Sequence, residues 1–287
     1  MSSNKKIKEF KENGYTIIRN FLNPKEIKNI KLQMNDVLSA QLSYHRIKFS
    51  KKMSVDDKYF LLKNKKPKLK SHFWDIMRIS ESLNSIVYSK RNTNIIKKIL
   101  MSETVLATNV RLQTDSKKEK GNLPLHQELN NISNDSVLLW CPLVKVNKKT
   151  GGLCLIPKSH IHGHLNYTDS EIPAHFHRIG LIDKLLKGKE KIKYNNEIVE
   201  KLFDKKNLLF PSLNPTDAIL FGTFVFHGST NYKSNGVRWV VAANYHKPNK
   251  IPYLLKEDFK SDKNKNYRLE MNRPMRIPYK VDYNKII

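Results

Sequence analysis

From Thr104 to Tyr245 the apolar residues of this chain come in short runs, each closed by glycine, proline, asparagine or aspartate. Val137 to Val144 is one such run; the turn Lys148 to Gly152 follows, and Leu153 to Ile156 is the next, ended by Pro157. After the turn Asn214 to Asp217 the pattern repeats in Ala218–Phe221, Phe224–His227 and Val237–Ala243. Runs this short with turns this frequent form the strands of a sandwich or barrel, because a helix needs a longer periodic stretch to bury one face. Helical spacing is confined to the first part of the chain. Ile7 to Phe10 reads as a short helix, Gly14 breaks it, and Tyr15 to Arg19 reads as a strand. Asn23 is a good N-cap and Pro24 suits the first helical position. Ile27, Ile30, Met34, Val37 and Leu38 then recur at helical spacing, as do Leu83, Ile86, Val87, Ile95, Ile96 and Ile99 within Ser82 to Leu100. Thr104 to Gln113 turns β-like, and Asp115 to Gly121 reads as a charged loop. Residues 43–72 are Lys-rich and weakly patterned, which predicts a surface excursion; residues 161–207 read as a polar insertion, and 256–273 as a charged tail. The expected class is mainly β with flanking helices. One domain over 1–287 is expected, with helical support over 1–100, a β core over 104–246 and a basic extension over 247–287.

The charge balance bounds the partners. Lys and Arg number 53 against 26 Asp and Glu, a formal charge of +27. Such a field attracts polyanions and acidic small molecules. The lysines, however, are scattered among Asn and Ile, as in lineage-wide compositional bias, and neither zinc-finger spacing nor an aromatic RNA-binding motif is present, which argues against specific nucleic-acid recognition. No apolar run approaches the ~20 residues that span a bilayer, and no apolar stretch follows the charged N-terminus, so a cytoplasmic location without a membrane span is expected. Cys141 and Cys154 sit inside apolar runs and read as buried free thiols.

Chemistry enters with His126-Gln127-Glu128 and, far downstream, His227. Two imidazoles and one carboxylate can hold a divalent metal on one face and leave the other open, the ligand pattern of non-haem Fe(II) oxygenases. On a strand, residues i and i+2 point to the same side, so His126 and Glu128 can reach one metal while Gln127 points away. An isolated H-x-E occurs often by chance; its neighbours decide. Arg238, on the strand after His227, can pair bidentately with a small dicarboxylate that chelates the metal. Ser229 can donate to the same carboxylate.

These pieces together resemble the phytanoyl-CoA dioxygenase family of Fe(II)/2-oxoglutarate oxygenases. The likeness runs through Phe10 to Leu22, Leu123 to Glu128, Trp140-Cys-Pro-Leu143, Gly151 to Gly163, Asp217 to Ser229 and Arg238 to Tyr245, in the family's order. It implies a double-stranded β-helix core of the jelly-roll or cupin-like kind. It implies Fe(II) on His126, Glu128 and His227, and 2-oxoglutarate on Arg238 and Ser229, with Trp140 lining that pocket and O2 as the oxidant. One departure stands out: the family usually carries H-x-D. Its halogenases replace the carboxylate with a small residue, so Glu128 points to hydroxylation.

Arg111 is expected beside the co-substrate, and Asn109 and Gln127 beside the substrate, with Asn109, Arg111 and Gln113 on one strand face. His160 is expected to hold its Ser-His turn by hydrogen bonds. His160, His162 and His164 alternate at a spacing that also suits a second metal, and His175 and His177 repeat it. Asp217 reads as a turn residue. The expected activity is hydroxylation of an aliphatic C–H of a small anionic metabolite (a sugar, a nucleotide-linked or an acyl substrate), releasing succinate and CO2. The competing reading is a catalytically weak or inactive β-barrel module that binds a polyanion through its basic surface.

Overall fold

The structure is a computed structural model, and it describes residues 3–117, 123–128, 136–163, 165 and 197–248. His164, His175, His177, most of the expected insertion and the expected tail over 256–273 lie outside the described residues.

The N-terminal part is helical. Helix α1 (Ser3–Asn13) leads through Gly14 into strand β1 (Tyr15–Ile18). Helix α2 (Pro24–Tyr44) starts at Asn23, whose side chain accepts from Glu26 N while the Glu26 carboxylate accepts from Asn23 N, a reciprocal capping box. Its buried stripe is Ile30, Met34, Leu38 and Leu42. Helices α3 (Val55–Lys65), α4 (Leu69–Arg78), α5 (Glu81–Tyr88) and α6 (Lys90–Leu100) follow.

Two antiparallel sheets make up the rest. The strands are β2 (Leu106–Ser116), β3 (Leu123–His126), β4 (Ser136–Pro142), β5 (Leu153–Leu155), β6 (Ala218–Gly222), β7 (His227–Ser229) and β8 (Val237–His246). A further short helix, α7 (Glu197–Leu202), precedes β6. The larger sheet has the order β1-β6-β4-β8-β2 and the smaller β3-β7-β5. Alternation along β8 defines the layers. Val237, Trp239, Val241, Ala243 and Tyr245 pack into one core with the helices. Val240 faces the other way, in a second core where Trp140, Leu138, Ile219 and Phe221 of the large sheet meet Leu153 and Leu155 of the small one. The helices therefore cover the outer face of the large sheet, and the two sheets enclose an interior between them.

Residues 43–72 depart from expectation. Instead of a surface excursion they supply α3 and the start of α4, and Tyr59, Leu62, Leu69 and Phe73 are buried in the helix–sheet core. Fully burying such side chains is worth about 1.5–3 kcal/mol each. Helix α3 also braces β8: Asp56 accepts from Val237 N at 2.9 Å and from Trp239 Nε1 at 2.7 Å. The residue between those two anchors is Arg238. Ser82 to Leu100 is two helices rather than one, parted at Ser89, which caps the second by accepting from Asn92 N. Asp115 and Ser116 belong to β2 and not to a loop, and Phe224 to Phe226 precede the strand that begins at His227.

Candidate active site

β3 and β7 bring the two histidines together. His126 and His227 are direct partners across the ladder, with ring centroids 4.4 Å apart. Their neighbour Glu128 lies just beyond the end of β3, where its backbone N–H bonds Thr223 O at 3.2 Å. Gln127, between them, is taken up by the scaffold. Its amide donates to Gly163 O and Phe224 O, both at 2.8 Å, and accepts from Leu165 N at 2.9 Å. Gln127, expected beside the substrate, is thus hydrogen-bonded to backbone, its amide tying Gly163, Leu165 and Phe224 to the strand that carries His126.

The ligand atoms of His126, Glu128 and His227 lie within 4.8 Å of one another, and among the described residues this is the set of His, Cys, Asp and Glu with such geometry. His227 Nδ1 is 2.9 Å from Val225 O. A carbonyl can only accept, so Nδ1 carries a proton, and Nε2 is the ring nitrogen turned inward. Nε2 sits 3.7 Å from Glu128 Oε1. Burial pushes the Glu128 carboxyl up, but the His227 hydrogen bond and the charges of His227, His126 and Arg111 outweigh it and bring the group down to about 2. An imidazole nitrogen facing a carboxylate at that distance is bridged by a cation, either a proton or a metal ion in its place. Two nitrogens and an oxygen suit a divalent transition metal, so the residues present fit an iron ion.

Arg238 reaches inward from β8. Its guanidinium donates to Asp115 Oδ2 at 2.9 Å and to Thr230 O at 3.0 Å, with both charged side chains buried. Asp115 faces Arg238 directly across the β2–β8 ladder. Its carboxylate also accepts from Ser116 N at 2.8 Å and Tyr232 N at 3.1 Å. Burial lowers the Arg238 pKa and Asp115 opposes that shift. Thr230 directly follows β7, so the guanidinium bridges the large sheet to the end of the strand that carries His227. Ser229 is buried in the ladder between Leu123 and Leu153. Trp140 lies between Ala242 of β8 and Ile219 of β6, facing the interior.

Arg111 and Gln113 also face inward from β2. With the Gln113 amide turned so that its oxygen meets the guanidinium, it accepts from Arg111 Nε at 2.8 Å, while Arg111 Nη1 donates to Asn109 O at 3.0 Å. Asn109 does not share their face. The β2–β8 register slips between Thr108 and Arg111, and Asn109, with φ 51, is the exposed extra residue of that bulge. His160 holds its turn as expected, with Nε2 3.0 Å from Lys11 O. Asp217 is a turn residue as expected: it accepts from Asn20 N and Asn214 N and pairs with Arg19 at 2.6 Å. Sequence reading passed over Asp115, whose spacing of two from Gln113 and four from Arg111 marks it as a member of the same inward row.

Residues 10–240 match the family model described as Phytanoyl-CoA dioxygenase (PhyH). No curated protein matches the chain at a significant level. Among solved structures it is similar to the epimerase SnoN in complex with Fe3+, alpha ketoglutarate and nogalamycin RO, at 14% identity and TM-score 0.55 over 91% of each chain. It is also similar to EctD from S. alaskensis with 2-oxoglutarate and 5-hydroxyectoine, at 13% identity and TM-score 0.56 over 87% of this chain and 77% of that one. AviO1 from Streptomyces viridochromogenes Tue57 aligns at 13% identity and TM-score 0.53 over 88% of this chain and 97% of that one. Likeness at such identity is likeness of fold, and the fold is the double-stranded β-helix.

Proposed function

The chain belongs to the phytanoyl-CoA dioxygenase family and is an Fe(II)- and 2-oxoglutarate-dependent dioxygenase, and we propose that it hydroxylates an aliphatic C–H of a small anionic metabolite. In this reading His126, Glu128 and His227 hold the iron, and Arg238, Ser229 and Arg111 receive 2-oxoglutarate beside Trp140. When bound, iron supplies activation of O2 coupled to conversion of 2-oxoglutarate into succinate and CO2. The chain's own part is positioning. Val225 O fixes the His227 tautomer. Asp115 and Thr230 hold the guanidinium at the edge of β7 before any co-substrate arrives. Phe221 lies with its ring centroid 4.5 Å from that of His227, and apolar walls of this kind keep bulk water from the metal. The +27 charge supports the anionic reading of the substrate.

The observation that carries the proposal is the convergence of three ligand atoms within 4.8 Å, one of them an ionised carboxylate oxygen. The test is anaerobic titration of the full chain with Fe(II) and 2-oxoglutarate. A weak visible charge-transfer band is expected, absent in His126→Ala and His227→Ala, with 2-oxoglutarate affinity down at least about ten-fold in Arg238→Ala. Protein that gives neither the band nor succinate with iron would sink the proposal and favour the non-catalytic polyanion module.

A further inference from the structure

Beyond Arg238, the inward row of β8 continues through Val240 and Ala242 to Asn244 and His246. Both end residues are buried: Asn244 is 2% exposed and His246 0%. Asn244 Oδ1 has no hydrogen-bond partner, and neither does His246 Nδ1. His246 Nε2 is 2.9 Å from the Thr108 hydroxyl. Across the β4–β8 ladder His246 faces Ser136. The Ser136 hydroxyl bonds that of Thr223, and Thr223 O accepts from Glu128 N at 3.2 Å. A line of polar groups therefore runs from the Glu128 backbone to the end of β8, on the interior face and away from the Arg238 end. Buried polar atoms are nearly always paired, so two unpaired ones, two residues apart on the inward face of β8, mark a place that a ligand completes.

We propose that Asn244 and His246, supported by Thr108 and Ser136, form a hydrogen-bonding subsite for a hydroxyl-bearing, uncharged portion of the substrate. This rests on the oxygenase reading above and adds to it the chemistry of one part of the substrate. None of the four side chains carries a formal charge; burial keeps the His246 imidazole neutral, lowering its pKa to about 4. A carboxamide oxygen accepts, and a neutral ring nitrogen donates or accepts according to its tautomer. A hydroxyl group, both donor and acceptor, satisfies either. A bare alkyl chain satisfies neither and leaves both atoms unpaired, which disfavours it by about ten-fold or more. The anionic part of such a substrate lies elsewhere, and the part held at this end of β8 is polyol-like.

The test is saturation-transfer NMR on the full chain loaded with Zn(II), a diamagnetic stand-in for iron, and 2-oxoglutarate. The probes are methyl glucoside, UDP-glucose and octanoyl-CoA. Saturation of the sugar protons of at least one hydroxyl-bearing probe is expected at millimolar concentration. Its Kd should rise at least ten-fold in Asn244→Leu and in His246→Phe, with a smaller rise in Asn244→Ser, while octanoyl-CoA should bind Asn244→Leu more tightly than the wild type. Sugar binding unchanged by these substitutions, absence of sugar binding, or tighter octanoyl-CoA binding to the wild type would each overturn the subsite. Variants that keep the Fe(II)–2-oxoglutarate band have an intact metal centre, so their loss of sugar binding is local. Absence of that band in the wild type would instead count against the oxygenase reading.

Discussion

Arg238 and Asp115 are a buried ion pair whose members have unequal roles. Asp115 accepts from Arg238, Ser116 N and Tyr232 N, whereas Arg238 donates to Asp115 and Thr230 O. Removing the carboxylate leaves a desolvated guanidinium and two backbone N–H groups short of an acceptor. Asp115→Ala is therefore expected to lose about 3–5 kcal/mol of stability in urea unfolding. 2-Oxoglutarate should recover part of that, because its own carboxylate replaces the missing charge. Thermal unfolding with and without co-substrate checks this: the upward shift should be larger in Asp115→Ala than in the wild type. An equal or smaller shift would mean that Arg238 does not meet the co-substrate. Glu128 has a comparable dependence on reach. It lies past the end of β3, outside the strict alternation that would aim it at the metal. The longer side chain fits that position. Glu128→Asp withdraws the oxygen by one C–C bond, about 1.5 Å, and Fe(II) affinity measured by anaerobic titration should drop by about 10- to 100-fold, the range typical of disturbed ligand support.

Elements far from His126 and His227 bear on them through one crowded junction. Gly14, with φ 81, joins α1 to β1; a Cβ there would lie 2.5 Å from His160 Nδ1 and 2.6 Å from Val225 Cγ2. Val225 is the residue whose carbonyl fixes His227. Gly14→Ala should cost about 1–3 kcal/mol and should also weaken iron binding, measured by urea unfolding and metal titration in parallel. Stability loss with unchanged iron affinity would show that the junction does not reach His227. The Gly-Tyr signal at 14–15, the α2 cap and the short strands were all legible, because each rests on local chemistry: positive φ, a capping side chain, alternating burial. Helix α3 was not. Its apolar residues are mixed with Lys58, which is buried with its ammonium on Asn35 Oδ1, Ser39 Oγ and Lys51 O, so the sequence reads polar where the fold is closed. The bulge that removes Asn109 from the inward face was equally hidden, since a register slip is a property of two strands and not of one. The metal set was legible as a pattern, whereas Asp115 required knowing that β2 runs on beside β8.

At the scale of the whole molecule, the two sheets must act as one body, since the two histidines proposed as iron ligands belong to the small sheet and the proposed co-substrate arginine to the large one. Each sheet carries one cysteine. Cys141 lies in β4, in the core shared with the helices, and donates to Asp217 O at 3.3 Å. Cys154 lies in β5, opposite Gly228 and packed with Leu125 and Phe226. Burial raises both thiols, Cys154 to about 12, above the usual 9.0. The sign follows directly: at pH 8 the folded protein holds almost no thiolate, while the unfolded chain titrates at its ordinary value and reacts. Labelling by a disulfide reagent at pH 8 should therefore report opening of each sheet. If the sheets open only together, Cys141→Ser and Cys154→Ser proteins, each with one thiol left, should be labelled at the same rate, equal to the global unfolding rate. Fe(II) with 2-oxoglutarate, which the proposed site would hold between the sheets, should slow both labelling rates by the same factor, under anaerobic conditions. Faster labelling at Cys154 alone, with the bound ligands protecting only that site, would show that the small sheet opens by itself and that the iron ligands separate from Arg238 without global unfolding.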